Sequence, residues 1–179
     1  SLSSYNVIQS KLSYDFYYKN FSQDKLIKSS PIMWGYKKIK PIIKKNKKFT
    51  IVIADTMKNL YSIPYIYEDS FGYLDNINTL IKTLVNIEDI EIILRFRPNK
   101  GLSLETLNLF ISKYKNIKIS IKGDFLDILQ YTDLLISHSS TVIDESLINN
   151  IPVCLFSGKN NYYHLLESDY AKKIPIFFI

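Results

Sequence analysis

The feature that most constrains the fold is the alternation of short apolar segments with segments of helical spacing between residues 49 and 156. The short segments are rich in β-branched residues, as buried strands are, and they span 49–55, 90–96, 116–120, 133–137 and 151–156. Between them, apolar residues recur three or four positions apart, which predicts helices at 73–87, 103–114, 124–132 and 140–149. This order predicts an α/β domain in which a parallel sheet carries helices on both faces.

The residues outside this region follow the alternation poorly. We predict a strand at 5–10, a short aromatic helix at 13–21 and a turn at 27–32. The apolar segment 174–179 is expected to pair into a sheet, or to pack against a segment of a longer protein of which this sequence is a part.

The positive charge of the chain is concentrated in one stretch. The net charge is +6, and residues 36–48 contain seven lysines. This stretch is either a solvated linker or a basic edge that contacts anionic lipid or a polyanionic substrate. Nucleic acid is not predicted as a partner, because no nucleic-acid recognition motif accompanies the lysines.

Metal and disulfide chemistry are not predicted. The sequence has one cysteine, Cys154, which lies inside an apolar segment, and two histidines, His138 and His164. One cysteine cannot form a disulfide framework, and these three residues lack the spacing of a metal site. The sequence also has no run of about 18 apolar residues, so no spanning helix is expected.

The sequence has only two arginines, and both lie at the end of a predicted strand. Arg95 and Arg97 flank Phe96, so alternation along the strand places both guanidinium groups on one face. A guanidinium binds phosphate or carboxylate through a planar fork, which makes the pair a candidate anion site. A structural ion pair with Asp or Glu is the alternative. Asn99, just beyond the strand, is a candidate polar contact to a ligand.

Residues 121–125 are predicted to form a bend between a strand and a helix. Gly123 permits a tight turn there, and such a turn can present backbone groups to a nucleobase. Gly123 and Asp124 are therefore candidate base contacts. An ordinary turn from strand to helix is the alternative.

Ser139, Ser140 and Thr141 lie where a predicted strand gives way to a helix. Backbone N–H groups at a helix start favour an anion, and the hydroxyls add donors. Glu145 follows Thr141 by one helical turn, so both lie on one face, where a carboxylate can accept hydrogen bonds from both hydroxyls of a ribose. The alternative is an N-cap formed by Ser139 or Ser140, with Glu145 in solvent.

Residues 131–156 resemble the donor-site signature of the GT-B fold glycosyltransferases of bacterial surface carbohydrate synthesis. STVIDESLINNIPVCLF matches their pattern of Ser-Thr, three variable residues, Glu, a small residue and Leu, followed after a turn by Pro-Val and apolar residues. LRFRP resembles their Arg-x-His-Pro element, with Arg97 at the histidine position. IKSSPI resembles the Gly-Ser-Pro turn between their two domains. Capsule polysaccharide transferases and CDP-glycerol glycerophosphotransferases share these elements.

The resemblance implies a Rossmann-like parallel sheet with helices on both faces, as one half of a GT-B fold. Residues 1–48 would then be the end of an amino-terminal domain and a basic linker, and residues 49–179 a nucleotide-sugar donor-binding domain. The implied enzyme is a glycosyltransferase that moves a sugar, or glycerol phosphate, from a nucleotide-activated donor to a bacterial surface glycan. It would act in the cytoplasm, with peripheral contact at the inner membrane face.

Partners and residue roles follow from the same resemblance. The nucleotide-sugar donor is a substrate, so no cofactor and no metal are expected; the other implied partners are a glycan or lipid-linked acceptor and the missing amino-terminal domain. Glu145 is expected at the ribose, and His138 is a candidate polar contact. The general base normally belongs to the amino-terminal domain, so no catalytic residue is assigned. Donor phosphate contacts are expected from Arg95, Arg97, Ser139, Ser140 and Thr141.

Two other functions fit the same sequence. A sugar-nucleotide epimerase shares the GT-B fold, but the additional catalytic carboxylates and histidines that it needs are not evident. A non-catalytic module would hold an anionic glycan or a protein partner through the lysine-rich stretch. Such a module does not need Ser140, Thr141 and Glu145, whereas a nucleotide donor needs all three.

Overall fold

A computed structural model of the chain describes residues 5–8, 11–29, 39, 48–54, 70–96, 103–138, 140–156 and 176–179. The contacts divide the chain into two compact units, residues 1–38 and 39–179. The first unit is small and the second contains the main sheet. The boundary predicted at residue 48 stays a prediction.

The first unit pairs two short strands beside one helix. Its elements are β1 (Asn6–Ile8), α1 (Lys11–Asn20), a single 3₁₀ turn (Gln23–Lys25) and β2 (Leu26–Lys28). The strands β1 and β2 are parallel. The predicted strand and aromatic helix are therefore present, but the turn predicted at 27–32 is wrong at its start, because Ile27 and Lys28 belong to β2.

Aromatic contacts hold the helix of this unit. The rings of Tyr14 and Tyr18 are 5.4 Å apart between centroids, and those of Tyr17 and Phe21 are 5.0 Å apart. These pairs are four residues apart, the spacing at which side chains on a helix meet. The Nζ atom of Lys28 lies 4.0 Å from the centre of the Tyr14 ring, which ties β2 to the helix through a cation–π contact.

The second unit is a six-stranded parallel sheet with the strand order β5-β4-β3-β6-β7-β8. Five of its strands were predicted from the sequence. The sixth, β8, pairs with β7 and so fulfils the expectation that the final apolar segment joins a sheet. In chain order the elements are β3 (Phe49–Ala54), α2 (Ser70–Leu84), β4 (Ile90–Arg95), α3 (Leu104–Ile111), β5 (Ile117–Ser120), α4 (Phe125–Leu129), β6 (Leu134–Ser137), α5 (Val142–Ile148), β7 (Val153–Leu155) and β8 (Ile176–Phe178).

The strand order places a switch of direction beside β3. From β3 the chain proceeds outward to β4 and β5, then returns to pair β6 against the other side of β3 and continues outward to β7 and β8. Right-handed crossovers then put the helices before and after the switch on opposite faces. The confirmed fold class is a Rossmann-like parallel sheet with helices on both faces.

Alternating side chains of the strands supply two apolar cores, one on each face. Ile53 and Ile92 point to one face, and Val52 and Ile93 to the other, as the two-residue period of a strand requires. The helical members of the first core come from α2 and α3: Ile77, Leu80, Ile81, Leu107 and Ile111. Those of the second come from α4 and α5: Phe125, Ile128, Leu129, Ile143 and Leu147.

Specific polar contacts fix where several elements begin. Ser103 caps α3 by accepting a hydrogen bond from the backbone N–H of Thr106 at 3.2 Å, as its position in the sequence predicts. The Asp133 carboxylate accepts from the Thr50 backbone N–H at 2.8 Å, and the Asp133 N–H donates to the Thr50 carbonyl. This exchange sets the register of β6 against β3.

Within the described residues, no helix is long and apolar enough to cross a membrane.

Two leucines on α3 test the core assignment. Leu107 is fully buried, whereas Leu109 on the same helix is 72% exposed. We expect Leu107→Ala to lower the free energy of unfolding by about 2–5 kcal/mol, because it leaves a cavity among packed side chains. Leu109→Ala should change it by less than about 0.5 kcal/mol. Urea denaturation of both variants measures the difference, and equal losses would contradict the assignment of Leu107 to the core.

Cys154 provides a pH-dependent test of the same core. Burial raises the pKa of its thiol from 9.0 to about 11. Because the unfolded chain releases this proton before the folded chain does, the stabilisation is complete below pH 9 and is lost as pH rises towards 11. Between pH 8 and pH 10.5 the free energy of unfolding should fall by on the order of 1 kcal/mol more in the wild type than in Cys154→Ala. Identical pH profiles would show that the thiol is not buried.

Candidate functional site

A cleft of about 360 Å³ opens at the carboxyl ends of four strands. It is bounded by the ends of β3 and β4, by the bend after β5 and by the start of α5. In open parallel sheets, ligands bind in such a crevice beside the switch of strand direction. Among the described residues, those that line it are Ala54, Arg95, Phe96, Gly123, Asp124, Phe125, Ser140, Thr141, Val142 and Glu145.

Arg95 ends β4 and turns its guanidinium towards the neighbouring strand. Its Nη1 atom donates to the Ser120 Oγ atom at 3.1 Å and to the Lys122 carbonyl at 2.6 Å, and its Nη2 atom donates to the Gly123 carbonyl at 2.6 Å. These acceptors are uncharged groups of the chain itself, and the phosphate contact expected of Arg95 from the sequence stays a prediction. Phe96 alternates to the opposite face and is buried there.

The bend after β5 has the tight geometry that its glycine predicts. Gly123 has φ +82°, in the left-handed region where a side chain is strained. The next residue, Asp124, is the N-cap of α4 and accepts a hydrogen bond from the Leu126 backbone N–H at 3.1 Å. Phe125 is buried and anchors the first turn of α4 in the core. The bend therefore forms a defined wall of the cleft.

The start of α5 forms another wall. Thr141 occupies the N-cap position, which the alternative interpretation gave to Ser139 or Ser140, and its side chain makes no capping hydrogen bond. The Ser140 carbonyl accepts from the Ile143 backbone N–H at 3.1 Å, which closes the first turn. Ser140 is half-buried and Thr141 is exposed. Their hydroxyls thus lie beside the cleft at the end of β6.

Glu145 lies one turn further along α5 and also lines the cleft. Thr141 and Glu145 therefore lie on the same side of the helix, as their spacing of one helical turn predicts. Glu145 is half-buried, while Ile143 and Leu147 are buried in the core on the same helix. Packing of these two apolar residues fixes the helix, and with it the position of Glu145 beside the cleft.

The other residues predicted for the site do not all reach it. His138 is buried at the end of β6 and is not among the residues that line the cleft. Arg97, Asn99 and Ser139 lie outside the described residues, so their expected contacts stay predictions. In the part of the chain that the structure describes, no three metal-ligating side chains cluster together.

Sequence reasoning missed Ala54, which lines the cleft at the end of the central strand β3. It packs on the same face as Val52 but ends in a methyl group, and this small volume leaves room beside the strand switch. A small residue at the end of the first strand of an alternating pattern is a signal that could have identified it. Phe96 and Phe125 are buried core residues that also line the cleft. Val142, which lines it too, is half-buried.

Comparison with known proteins gives similarity in fold only. No protein-family model matches the sequence, and no curated protein matches it. Among solved structures, the UDP-GlcNAc 2-epimerase of Methanocaldococcus jannaschii, in complex with UDP-GlcNAc and UDP, aligns with 99% of this chain and 50% of its own at 15% identity and a TM-score of 0.60. The UDP-GlcNAc 2-epimerase of Neisseria meningitidis bound to UDP-GlcNAc aligns with 86% and 44%, at 14% identity and a TM-score of 0.59.

A glycosyltransferase has the same fold. The glycotransferase of kitacinnamycin aligns with 99% of this chain and 42% of its own, at 11% identity and a TM-score of 0.55. The chain therefore spans about half or less of these proteins. The likeness supports the predicted GT-B type of Rossmann-like domain, which serves both epimerases and transferases.

Gly123 gives a test of the bend that walls the cleft. No atom lies within 4 Å of the position that a Cβ atom would take there, so only the backbone conformation opposes a side chain. We expect Gly123→Ala to lower the free energy of unfolding by about 1–2 kcal/mol, and Gly123→Asn by less, because asparagine tolerates positive φ better. Thermal and urea denaturation measure both. Equal stability of Gly123→Ala and the wild type would contradict the left-handed conformation.

Proposed function

We propose that this chain is the donor-binding half of a glycosyltransferase and that its cleft binds a nucleotide-activated sugar. The observation that carries the proposal is the convergence of the Gly123 bend, Ser140, Thr141 and Glu145 on one cleft at the strand switch. A volume of about 360 Å³ lies within the usual range of small-molecule sites. The hydroxyls of Ser140 and Thr141 suit the phosphates of a nucleotide, and the carboxylate of Glu145 suits its ribose. The backbone groups of the Gly123 bend suit its base.

The proposed arrangement follows the positions of these groups. The base lies against the bend at Gly123–Phe125, where backbone groups can pair with its edge. Glu145 accepts hydrogen bonds from the ribose hydroxyls, because an ionised carboxylate has two oxygens that accept. Ser140 and Thr141 donate to the phosphate groups at the end of β6. Arg97 is a further proposed phosphate contact, by its match to the histidine position of the LRFRP motif.

The proposed reaction is displacement at the anomeric carbon of the donor sugar, or at phosphorus if the donor is CDP-glycerol. The acceptor hydroxyl attacks, its proton passes to a base of the amino-terminal domain, and the nucleotide leaves with its phosphate. Hydrogen-bond donors of this half stabilise the charge that develops on the leaving phosphate. This half alone should therefore bind nucleotide but transfer little or nothing.

The partners and location belong to the same proposal. The acceptor is a bacterial surface glycan or its lipid-linked precursor, assembled at the cytoplasmic face of the inner membrane. Residues 36–48 provide lysines for peripheral contact with anionic lipid. Of that stretch, the structure describes only Ile39 and Lys48.

An epimerase is the second candidate, because the two structures with TM-scores of 0.60 and 0.59 are UDP-GlcNAc 2-epimerases. The two functions differ in their need for an acceptor. An epimerase changes the configuration of the sugar in UDP-GlcNAc without any acceptor, whereas a transferase releases nucleotide only when an acceptor is present. Proton NMR distinguishes them. UDP-GlcNAc is incubated, without acceptor, with the proposed two-domain protein that contains this chain, and only an epimerase changes the signals of the sugar.

Glu145 provides the test of nucleotide binding. We expect the chain to bind one of CMP, CDP, UDP and GDP, and Glu145→Ala to weaken that binding by at least about tenfold. The physical reason is that one hydrogen bond to a charged group contributes about 1.5–3 kcal/mol, and tenfold corresponds to about 1.4 kcal/mol. Isothermal calorimetry measures the affinity, and a thermal shift that rises with nucleotide concentration provides an independent readout.

Asp127 offers a matched control for this substitution. It is an exposed carboxylate on α4 that is not part of the cleft. Asp127→Ala should therefore bind the nucleotide as the wild type does. The proposal is wrong if no nucleotide binds the wild type at millimolar concentration, or if the Glu145 and Asp127 variants bind equally well.

A further inference from the structure

Three hydrogen bonds join one arginine to the bend that walls the cleft. Arg95 is opposite Ser120 in the parallel pairing of β4 and β5, and the Phe96 backbone N–H donates to the Ser120 carbonyl at 3.0 Å. Beyond that point regular pairing ends and the chain turns through Lys122 and Gly123. The Arg95 guanidinium follows this turn, with donors to the Ser120 hydroxyl and to the carbonyls of Lys122 and Gly123.

These carbonyls belong to neither strand nor helix, so they depend on a partner from outside the regular elements. A guanidinium suits this task, because its N–H groups diverge in a rigid plane and reach several acceptors at once. An ammonium group is a point charge on a flexible stem and cannot reproduce the fork. The bonds also use three of the five N–H donors of the guanidinium, including both on Nη1.

We infer that Arg95 is a positioning residue, which holds the bend at residues 120–124 in the shape that the base of the nucleotide meets. The inference deepens the proposed function and rests on it for the identity of the ligand. It changes the role of Arg95 from a phosphate ligand to a support for one wall of the cleft. The bend carries the Asp124 cap, so its position also sets where α4 begins.

Backbone dynamics of the ligand-free chain test the structural part of the inference. In the wild type, ¹⁵N relaxation should give order parameters of about 0.85 for the amides of residues 122–126, the value of rigid backbone. In Arg95→Lys these should fall below about 0.6, the value of flexible backbone, while those of β3 and β4 stay unchanged. Ser120→Ala removes one of the three bonds and should give an intermediate loss.

Lys122 supplies a matched control in the same turn. Its side chain is exposed, and Arg95 bonds its carbonyl rather than its ammonium group. Lys122→Ala therefore removes a positive charge but keeps the acceptor, and it should leave the order parameters of the bend unchanged. A fall in Lys122→Ala equal to that in Arg95→Lys would overturn the inference.

Ligand binding tests the functional part, with UDP, CDP and inorganic pyrophosphate as probes. Arg95→Lys should weaken the binding of UDP or CDP by at least about tenfold and that of pyrophosphate by much less, because pyrophosphate has no base to meet the bend. A direct phosphate ligand would instead lower the affinity for all three probes alike. An unchanged bend together with equal losses for all three probes would overturn the positioning role.

The two proposals fail in different ways. If the wild type binds none of CMP, CDP, UDP and GDP, the proposed function is wrong, while the order parameters still decide whether Arg95 holds the bend. If the wild type binds a nucleotide but Arg95→Lys keeps a rigid bend, the positioning role is wrong and the proposed function stands.

Discussion

The pairing of β3 with β4 on one side and with β6 on the other is the constraint on which the rest of the second unit depends. Because β6 returns to the far side of β3, the direction of the strand order switches beside β3, and the cleft lies at the carboxyl end of that strand. Ala54 lies at that point and lines the cleft. The contact between Asp133 and Thr50 fixes the same pairing at the opposite end of the strands.

The walls of the cleft are held by interactions that differ in kind. On one side, apolar packing of Ile143 and Leu147 holds the helix that presents Glu145. On the other side, polar contacts from Arg95 hold the bend at Gly123. A packed helix tolerates few alternatives, whereas a bend held by one side chain depends on that residue. The core therefore holds the wall of the cleft that carries Glu145, and Arg95 holds the wall at Gly123.

Much of this fold could be predicted from the sequence, because period and composition decide which segments are strands and helices. Strands β3 to β7 and the helices between them follow from β-branched runs and from apolar residues at helical spacing. The partner of Arg95 could not be predicted, since its acceptors are mainly backbone carbonyls, which every residue has. The N-cap at Thr141 could not be predicted for a similar reason. Three consecutive hydroxyl residues give no local signal that shows which of them is the N-cap.

Part of the site could also be predicted from the sequence, for a physical reason. Parallel strands bring their carboxyl ends together, so residues after β4, β5 and β6 were expected to converge, and Arg95, Gly123 and Glu145 all line one cleft. The burial of His138 was not predicted, because a residue next to a strand end can point into the core or out of it. The fold likeness to epimerases and to a transferase shows the architecture, while the chemistry depends on groups that the fold alone does not specify.

Chemical-shift mapping with a nucleotide tests the central claim most directly, namely that the cleft at the strand switch is the binding site. The measurement is a ¹H–¹⁵N correlation spectrum of the labelled chain, recorded during separate titrations with CMP, CDP, UDP and GDP. If the cleft is the binding site, one nucleotide shifts the amides of residues 123–125 and 140–145 together, along a single saturable curve. Shifts confined to the lysine-rich residues 36–48, or no shifts with any of the four nucleotides, would contradict the claim.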